Sequence, residues 1–153
     1  LLLRKAIGSA RRMISGLRPP IIDEQGVVAA LEYLVSEMNA HGMEIQLTHD
    51  VRFERMPPVL EASVFRIVQE ALRNAVKHAN ASIVHIATRT KDQALLVLVK
   101  DNGRGISAGV IDNPESWGII GMQERARALG GQLCVSGQAG QGTLVKLRLP
   151  LEA

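Results

Sequence analysis

The sequence is poor in the residue types on which several classes of protein depend. Aromatic side chains make up 3% of its 153 residues, which argues against a nucleic-acid surface built from stacking rings beside cations. The single Cys134 cannot form an internal disulfide and fits a reducing, cytoplasmic compartment. No apolar run reaches the roughly 18 residues of a membrane-spanning helix, and no signal-peptide pattern is present. We therefore expect any membrane segment to lie outside this sequence.

Familiar catalytic patterns are also missing. The chain has no Cys/His spacing typical of zinc, no Gly-x-Ser-x-Gly elbow and no Walker A motif.

The basic pI of the chain, about 9.4, has a local origin, since five of the 18 basic residues and no acidic residue lie in residues 1–22. The remainder carries 13 basic against 15 acidic residues, a net charge of −2. Because the basic charge belongs to residues 1–22 and aromatic residues are few, no nucleic-acid partner is predicted.

What is present are three blocks of polar residues and glycines in a fixed order. The first, Glu70-Ala71-Leu72-Arg73-Asn74, lies within a helical pattern from about Pro58 to Ala79. The polar face of this helix carries Arg66, Glu70, Asn74, Lys77 and His78. A solvated helix face is the ordinary interpretation. However, a carboxylate and an amide one turn apart, followed by two potential cations, are also suited to a magnesium-bound polyphosphate.

The second block, Asp101-Asn102-Gly103-Arg104-Gly105, follows the apolar strand pattern Ala94 to Lys100. Such a sequence is typical of a tight turn, but a loop-like stretch, Ile106 to Trp117, follows instead of a returning strand. Asp101 could accept a hydrogen bond from an exocyclic amine such as that of adenine. Gly103 and Gly105 would let the backbone approach a ligand without a Cβ clash.

The third block, Gly118-Ile119-Ile120-Gly121, precedes a helical pattern that ends at Gly130-Gly131. A glycine-flanked helix start offers unpaired N–H groups and a positive dipole end, which suit phosphate. A further glycine cluster, Gly137 to Gly142, comes before Thr143 and the last strand pattern. Alone, that cluster predicts only a hairpin loop.

The remaining patterns predict an α+β protein with helices layered on a sheet. The expected helices are residues 1–17, 23–40, 58–79 and 120–129, and the expected strands are residues 44–48, 83–90, 94–100, 132–136 and 143–149. Cys134 is expected to be a buried small residue of a strand rather than a nucleophile. The first helix has apolar residues spaced 4-3-4-3, which fits a short coiled coil or an ordinary amphipathic helix.

Together the blocks resemble the ATP-binding catalytic domain of sensor histidine kinases, in the GHKL ATPase superfamily. The pattern is most similar to the subfamily of nitrate sensors and DesK-like kinases. Residues 65–79 resemble the N box, residues 101–105 the G1 box and residues 118–125 the G2 box. The Gly-Gln-Gly-Thr run ending at Thr143 resembles the closing glycine-threonine element. Ser116 stands where this subfamily usually has the first G2 glycine. In the subfamily, the loop before the G2 box closes over the nucleotide as a lid, and a serine at 116 could stiffen the hinge of that lid.

The resemblance implies a two-layer sandwich of helices on a mixed β-sheet, with residues 19–153 as the ATP-binding domain and residues 1–18 as the end of a dimerisation hairpin. It implies that Asn74 holds Mg²⁺ and that Glu70 is the base, or a water-mediated metal partner. It implies that Asp101 binds the adenine amine. The other expected ATP contacts are Lys77, His78, Gly103, Gly105, Ile106, Gly118, Ile119, Gly121, Met122 and Thr143.

None of the four histidines has the phosphoacceptor context of this subfamily. Since the chain begins Leu-Leu-Leu, we expect a fragment of a longer homodimeric kinase that phosphorylates a histidine outside it and passes the phosphoryl group to a response regulator receiver domain. We expect this domain to lie in the cytoplasm. The whole protein could be anchored in the inner or plasma membrane by a segment outside this sequence. Two alternatives remain: a decayed nucleotide-sensing or dimerisation module, and a serine-kinase anti-sigma factor of the same superfamily.

Overall fold

The computed structural model describes residues 25–39, 42–51, 55–77, 80–105 and 117–151. Within these ranges the helices are α1 (Val27–Asn39), α2 (Pro58–Lys77) and α3 (Trp117–Ala128). The strands are β1 (Glu44–Asp50), β2 (Ile83–Lys91), β3 (Ala94–Asp101), β4 (Gln132–Gln138) and β5 (Gly142–Pro150). The predictions for residues 1–18, for His78, for Ile106 and for Ser116 fall outside the described residues.

The five strands form one mixed sheet in the order β1-β2-β3-β5-β4. β1 and β2 are parallel, and the polypeptide between them contains α2, as the parallel arrangement requires. All other neighbouring strands are antiparallel. The predicted α+β class and the mixed sheet are therefore confirmed.

The core lies between the sheet and the three helices. Alternate residues of β2 and β3, such as Val84, Ile86, Val97 and Val99, are buried on one face of the sheet, as the two-residue period of a strand requires. The helices contribute apolar faces to the same core, including Val64, Ile67 and Val68 of α2 and Ile119 and Met122 of α3. The opposite face of the sheet carries exposed charged residues such as Arg89, Lys146 and Arg148. The predicted two-layer arrangement is confirmed.

Three details of the sequence analysis are wrong. Cys134 is exposed, because it lies on the uncovered face of β4 at the edge of the sheet, beside Lys146 of β5. Val76 fits the apolar spacing of the helix predicted for residues 58–79, which predicts a buried side chain, but it is 46% exposed in the last turn of α2. Trp117, expected at the end of a loop, is the first residue of α3.

An ion pair between the partly exposed Arg55 and the buried Glu61 joins the start of α2 to the segment before it. The Glu61 side chain is only 2% exposed, and its carboxylate accepts bonds from Arg55 Nη2 at 2.8 Å and Nε at 3.2 Å. Gly26, with φ +90°, approaches the same two side chains. A buried carboxylate needs such a partner, so this pair fixes how the chain leads into α1 and α2.

None of the helices in the described ranges is long and apolar enough to cross a membrane.

Candidate functional site

Asp101 is held in one orientation at the end of β3. It is 8% exposed, and its Oδ1 accepts hydrogen bonds from the backbone N–H of Gly103 at 2.8 Å and of Thr143 at 3.2 Å. The first bond closes the turn after β3, and the second ties that turn to β5. Oδ2 accepts no hydrogen bond from any residue that the structure describes. Asp101 therefore presents one fixed, unused acceptor.

The first residues of β5 form the wall beside this carboxylate. Gly142 has φ +89°, and a Cβ at this position would overlap the carbonyl oxygen of Asp101, so the two backbones approach each other as only glycine allows. Thr143 is 7% exposed, and its buried Oγ1 has no hydrogen-bond partner among the described residues. Buried hydroxyls are normally bonded, but Thr88 Oγ1 in β2 is also unpaired among the described residues, so the fixed acceptor of Asp101 is the stronger sign of a place for a polar ligand.

Asn102 has a role that the sequence analysis missed. Its Oδ1 accepts from the backbone N–H groups of Ser82 and Ile83, both at 3.0 Å, and its Nδ2 donates to Ser82 Oγ at 3.0 Å. Its own backbone N–H donates to the carbonyl of Ile83. Asn102 thus fastens the end of β3 to the start of β2. Asn is common in tight turns, so the sequence predicts only a local turn at this position. A turn requires no partner from a distant segment, and the bonds to Ser82 and Ile83 were therefore missed.

The glycines of the second block shape the loop that follows Asp101. Gly103 is buried and donates its N–H to Asp101. Gly105 has φ +82°, a conformation that favours glycine. The carbonyl of Arg104 accepts from Gly140 N–H at 2.7 Å. The turn between β4 and β5 is therefore bound to the loop after β3, and the second block and the closing glycine-threonine element form one structure.

The first and third blocks meet at the other end of the site. Glu70 and Asn74 lie one turn apart on α2, and Gly118 stands in the first turn of α3. A Cβ built on Gly118 would overlap Glu70 Oε1 and lie 3.7 Å from Asn74 Oδ1. The two side-chain oxygens are thus gathered around one point. Lys77 is exposed in the last turn of the same helix.

Two of the expected ligand contacts are part of the core. Ile119 is 6% and Met122 is 2% exposed, and both belong to the main hydrophobic cluster. Their burial fixes α3 against α2 and the sheet. By contrast, an added Cβ at Gly121 would meet no atom within 4 Å in the part of the chain that the structure describes.

The donor atoms around Gly118 suit a hard cation. Mg²⁺ takes oxygen ligands, and one or two from the protein are enough when phosphates and water supply the rest. Glu70 and Asn74 offer a carboxylate and an amide oxygen around one point. Within the described ranges no group of three or more His, Cys, Asp or Glu side chains could hold a metal, so a site made wholly by such residues is absent from that part of the chain. The residues present fit a metal shared with a bound phosphate.

The layer of helices on a mixed sheet, with Asp101 at one end of the site and Glu70 and Asn74 at the other, fits a nucleotide-binding ATPase domain. The sequence model of the histidine kinase-, DNA gyrase B-, and HSP90-like ATPases matches residues 60–153. The chain belongs to this family of ATPases. Membership implies ATP as the ligand, and the predicted resemblance is confirmed.

Two curated relatives of the chain are named histidine-protein kinases. It is 33% identical over 151 residues to the signal transduction histidine-protein kinase/phosphatase DegS of Brevibacillus brevis, covering 98% of this chain and 39% of that protein. It is 34% identical over 144 residues to the histidine-protein kinase/phosphatase UhpB of Salmonella typhimurium, covering 93% and 28%. The chain therefore spans well under half the length of these relatives.

Solved structures agree on the fold. The blue-light activated histidine kinase of Erythrobacter litoralis EL346 superposes with a TM-score of 0.66 at 25% identity, covering 83% of this chain and 42% of that one. The ATP binding domain of PrrB from Mycobacterium tuberculosis superposes with a TM-score of 0.63 at 21% identity, covering 81% and 93%. The second likeness concerns the fold alone.

Proposed function

We propose that this chain is the part of a sensor histidine kinase that binds ATP–Mg²⁺ and delivers its γ-phosphoryl group to a histidine outside these residues. The observation that carries the proposal is the fixed carboxylate of Asp101 beside the unpaired hydroxyl of Thr143. An exocyclic amine of adenine would donate to the unused Oδ2. Because Oδ1 is already held by two backbone donors, binding would require little reorganisation of the carboxylate.

The phosphates would then lie toward α2 and the first turn of α3. Asn74 would hold the metal that neutralises them, and Lys77 and His78 would lie near the polyphosphate. Gly103, Gly105, Gly118 and Gly121 would line its path, and Ile106 would border the nucleotide. Phosphoryl transfer depends mainly on positioning and charge stabilisation, so few protein groups are needed at this end.

Glu70 would act as the base. Its carboxylate would accept the proton of the phosphoacceptor imidazole as the nitrogen attacks the γ-phosphorus and the bond to the bridging oxygen of ADP breaks. A water-mediated contact of Glu70 with the metal is the alternative for this residue. Its side chain is 29% exposed, so a histidine from outside the domain could reach it.

Further parts of the proposal concern the whole protein. We assign residues 1–18 to the end of a dimerisation hairpin and residues 19–153 to the ATP-binding domain. We expect a homodimer whose phosphohistidine serves the receiver domain of a response regulator. The relatives named above are called kinases and phosphatases of signal transduction, which supports this assignment. We place this domain in the cytoplasm.

The direct test is calorimetric titration of the chain with a non-hydrolysable ATP analogue and Mg²⁺. Asp101→Ala should weaken binding by about 1–3 kcal/mol, because the adenine amine loses its buried acceptor. The turn after β3 would lose its bond to Gly103 N–H in the same variant. Asp101→Asn is therefore the matched control, since its Oδ1 can keep both backbone bonds while the amide NH₂ replaces the unused acceptor.

Both Asp101 variants should lose affinity if adenine binds at Oδ2. Loss in Asp101→Ala alone would indicate that the residue only supports the turn. Unchanged affinity in both variants would contradict the assignment of the adenine site.

A further inference from the structure

Two glycines of α3 differ in what surrounds them. A Cβ on Gly118 would overlap Glu70 Oε1 and lie 3.3 Å from Glu70 Cδ, whereas a Cβ on Gly121 would have no atom of the described residues within 4 Å. Both residues lie within the same helix, so replacing either by alanine changes helix propensity in the same direction. Among the residues that the structure describes, Gly118 has a steric reason to be a glycine and Gly121 has none.

An alanine at 118 would displace Glu70 rather than α3. The helix is fixed by Ile119, Met122 and Ala126, which are 6%, 2% and 0% exposed. The Glu70 side chain is 29% exposed, and its nearest cation in the described part, Arg73 Nη1, lies 3.8 Å from Oε2 at the surface. A solvent-exposed pair of this length holds a side chain weakly. The carboxylate is therefore the part that can move.

We infer that Gly118 is a positioning residue for Glu70. The missing side chain leaves room for the carboxylate beside the amide of Asn74, with Oε1 toward α3 and Oε2 toward Arg73. Any larger residue at 118 would turn the carboxylate out toward solvent and away from Asn74. The consequence for catalysis rests on the proposed function of Glu70, whereas the contact between Gly118 and Glu70 does not.

The kinetic test uses the full-length kinase and a double-mutant cycle. Gly118→Ala should lower kcat for autophosphorylation about 10²-fold, the loss expected for misplacing a reacting group by about 1 Å. Glu70→Asp shortens the side chain by one methylene and relieves the overlap. The double variant should therefore be at least about tenfold more active than the product of the two single losses predicts.

Gly121→Ala is the matched control. Its own effect on kcat should combine with that of Glu70→Asp as a simple product, within about twofold, because no contact joins the two residues. Equal coupling of both glycines to Glu70 would show a general effect of alanine in α3 and would overturn the inference.

A second readout separates this inference from the proposed function. In the 153-residue chain without nucleotide, Gly118→Ala should shift the carboxyl carbon NMR signal of Glu70, and Gly121→Ala should leave it in place. A kinase inactive in its wild-type form would contradict the proposed function and leave this measurement valid. An unmoved Glu70 signal in Gly118→Ala would overturn the inference even in a fully active kinase.

Discussion

The end of the site that we propose for adenine (the adenine end) and the end that we propose for the phosphates (the phosphate end) are built in different ways. At the adenine end one buried carboxylate is fixed by backbone N–H groups from two segments, and a glycine of β5 packs against the backbone of the same residue. At the phosphate end the polar groups are partly exposed side chains of a single helix, gathered under the first turn of α3. In the proposed function, the group that recognises the base therefore belongs to the sheet, and the groups that act on the phosphates are side chains that can move.

This comparison predicts that the two ends can be damaged separately. A change at the phosphate end should reduce the rate of transfer and spare the fold and adenine binding. A change at the end proposed for adenine should reduce binding and stability together, because the carboxylate of Asp101, which we propose binds the base, also joins β3 to β5.

The largest effect is expected for Glu70→Gln in the full-length kinase. Glutamine keeps the size and hydrogen-bonding capacity of the side chain but removes the base, so the rate of autophosphorylation should fall by about 10²–10⁴. ATP affinity, measured by calorimetry, should stay within a few-fold of the wild-type value. A rate within threefold of wild type would mean that Glu70 is not the base, and a parallel loss of affinity would favour its role as a metal partner.

How far the sequence predicted this site depends on the end considered. The order of helices and strands and the position of Asp101 followed from clear apolar periods and from glycines at strand and helix ends. The hydrogen bonds that fix Asp101 did not, because Thr143 lies 42 residues away in sequence. The burial of Glu61 was equally hidden, since its partner Arg55 lies in a segment with no periodic pattern. The exposure of Cys134 depended on which face of β4 the helices cover.

The next effect concerns the backbone contact at the adenine end. Gly142→Ala places a Cβ against the Asp101 carbonyl at φ +89°, so we expect unfolding to become easier by about 3 kcal/mol or more, from left-handed strain plus overlap. Gly140→Ala is the control, because Gly140 has a similar φ of +79° and no atom of the described residues lies within 4 Å of an added Cβ. It should lose only about 1–2 kcal/mol.

Urea denaturation of the nucleotide-free chain measures both Gly142→Ala and Gly140→Ala. Equal losses would show that conformational strain alone decides the outcome and that the approach of β5 to Asp101 is unimportant. An intact ATP affinity in a folded Gly142→Ala variant would break the link between stability and adenine binding on which the comparison depends.

A smaller effect is expected for Asn74→Ala. Removing one proposed ligand from a metal that is otherwise held by phosphates and water should weaken Mg²⁺-dependent ATP binding by roughly tenfold, about 1.4 kcal/mol. Titrations with and without Mg²⁺ should converge in this variant, whereas the wild-type protein should bind ATP more tightly with the metal. Because Asn74 lies half-buried on the polar face of α2, the stability of the fold should change little. An undiminished magnesium effect would remove Asn74 from the metal site.

The smallest effect should come from Asn102→Ala, which sharpens the view that the adenine end depends on the backbone around it. The substitution removes three side-chain hydrogen bonds to Ser82 and Ile83. Asn102 is exposed, so water can replace part of what is lost, and we expect the free energy of unfolding to fall by about 1 kcal/mol in urea denaturation.

The control is Asn102→Asp, which keeps the acceptor for both backbone N–H groups and loses only the donor to Ser82 Oγ, so it should retain most of the stability. If the alanine variant also binds ATP less tightly while the aspartate variant does not, the position of Asp101 depends on how β3 is fastened to β2. If both bind ATP normally, Gly103 and Thr143 are sufficient to hold the carboxylate.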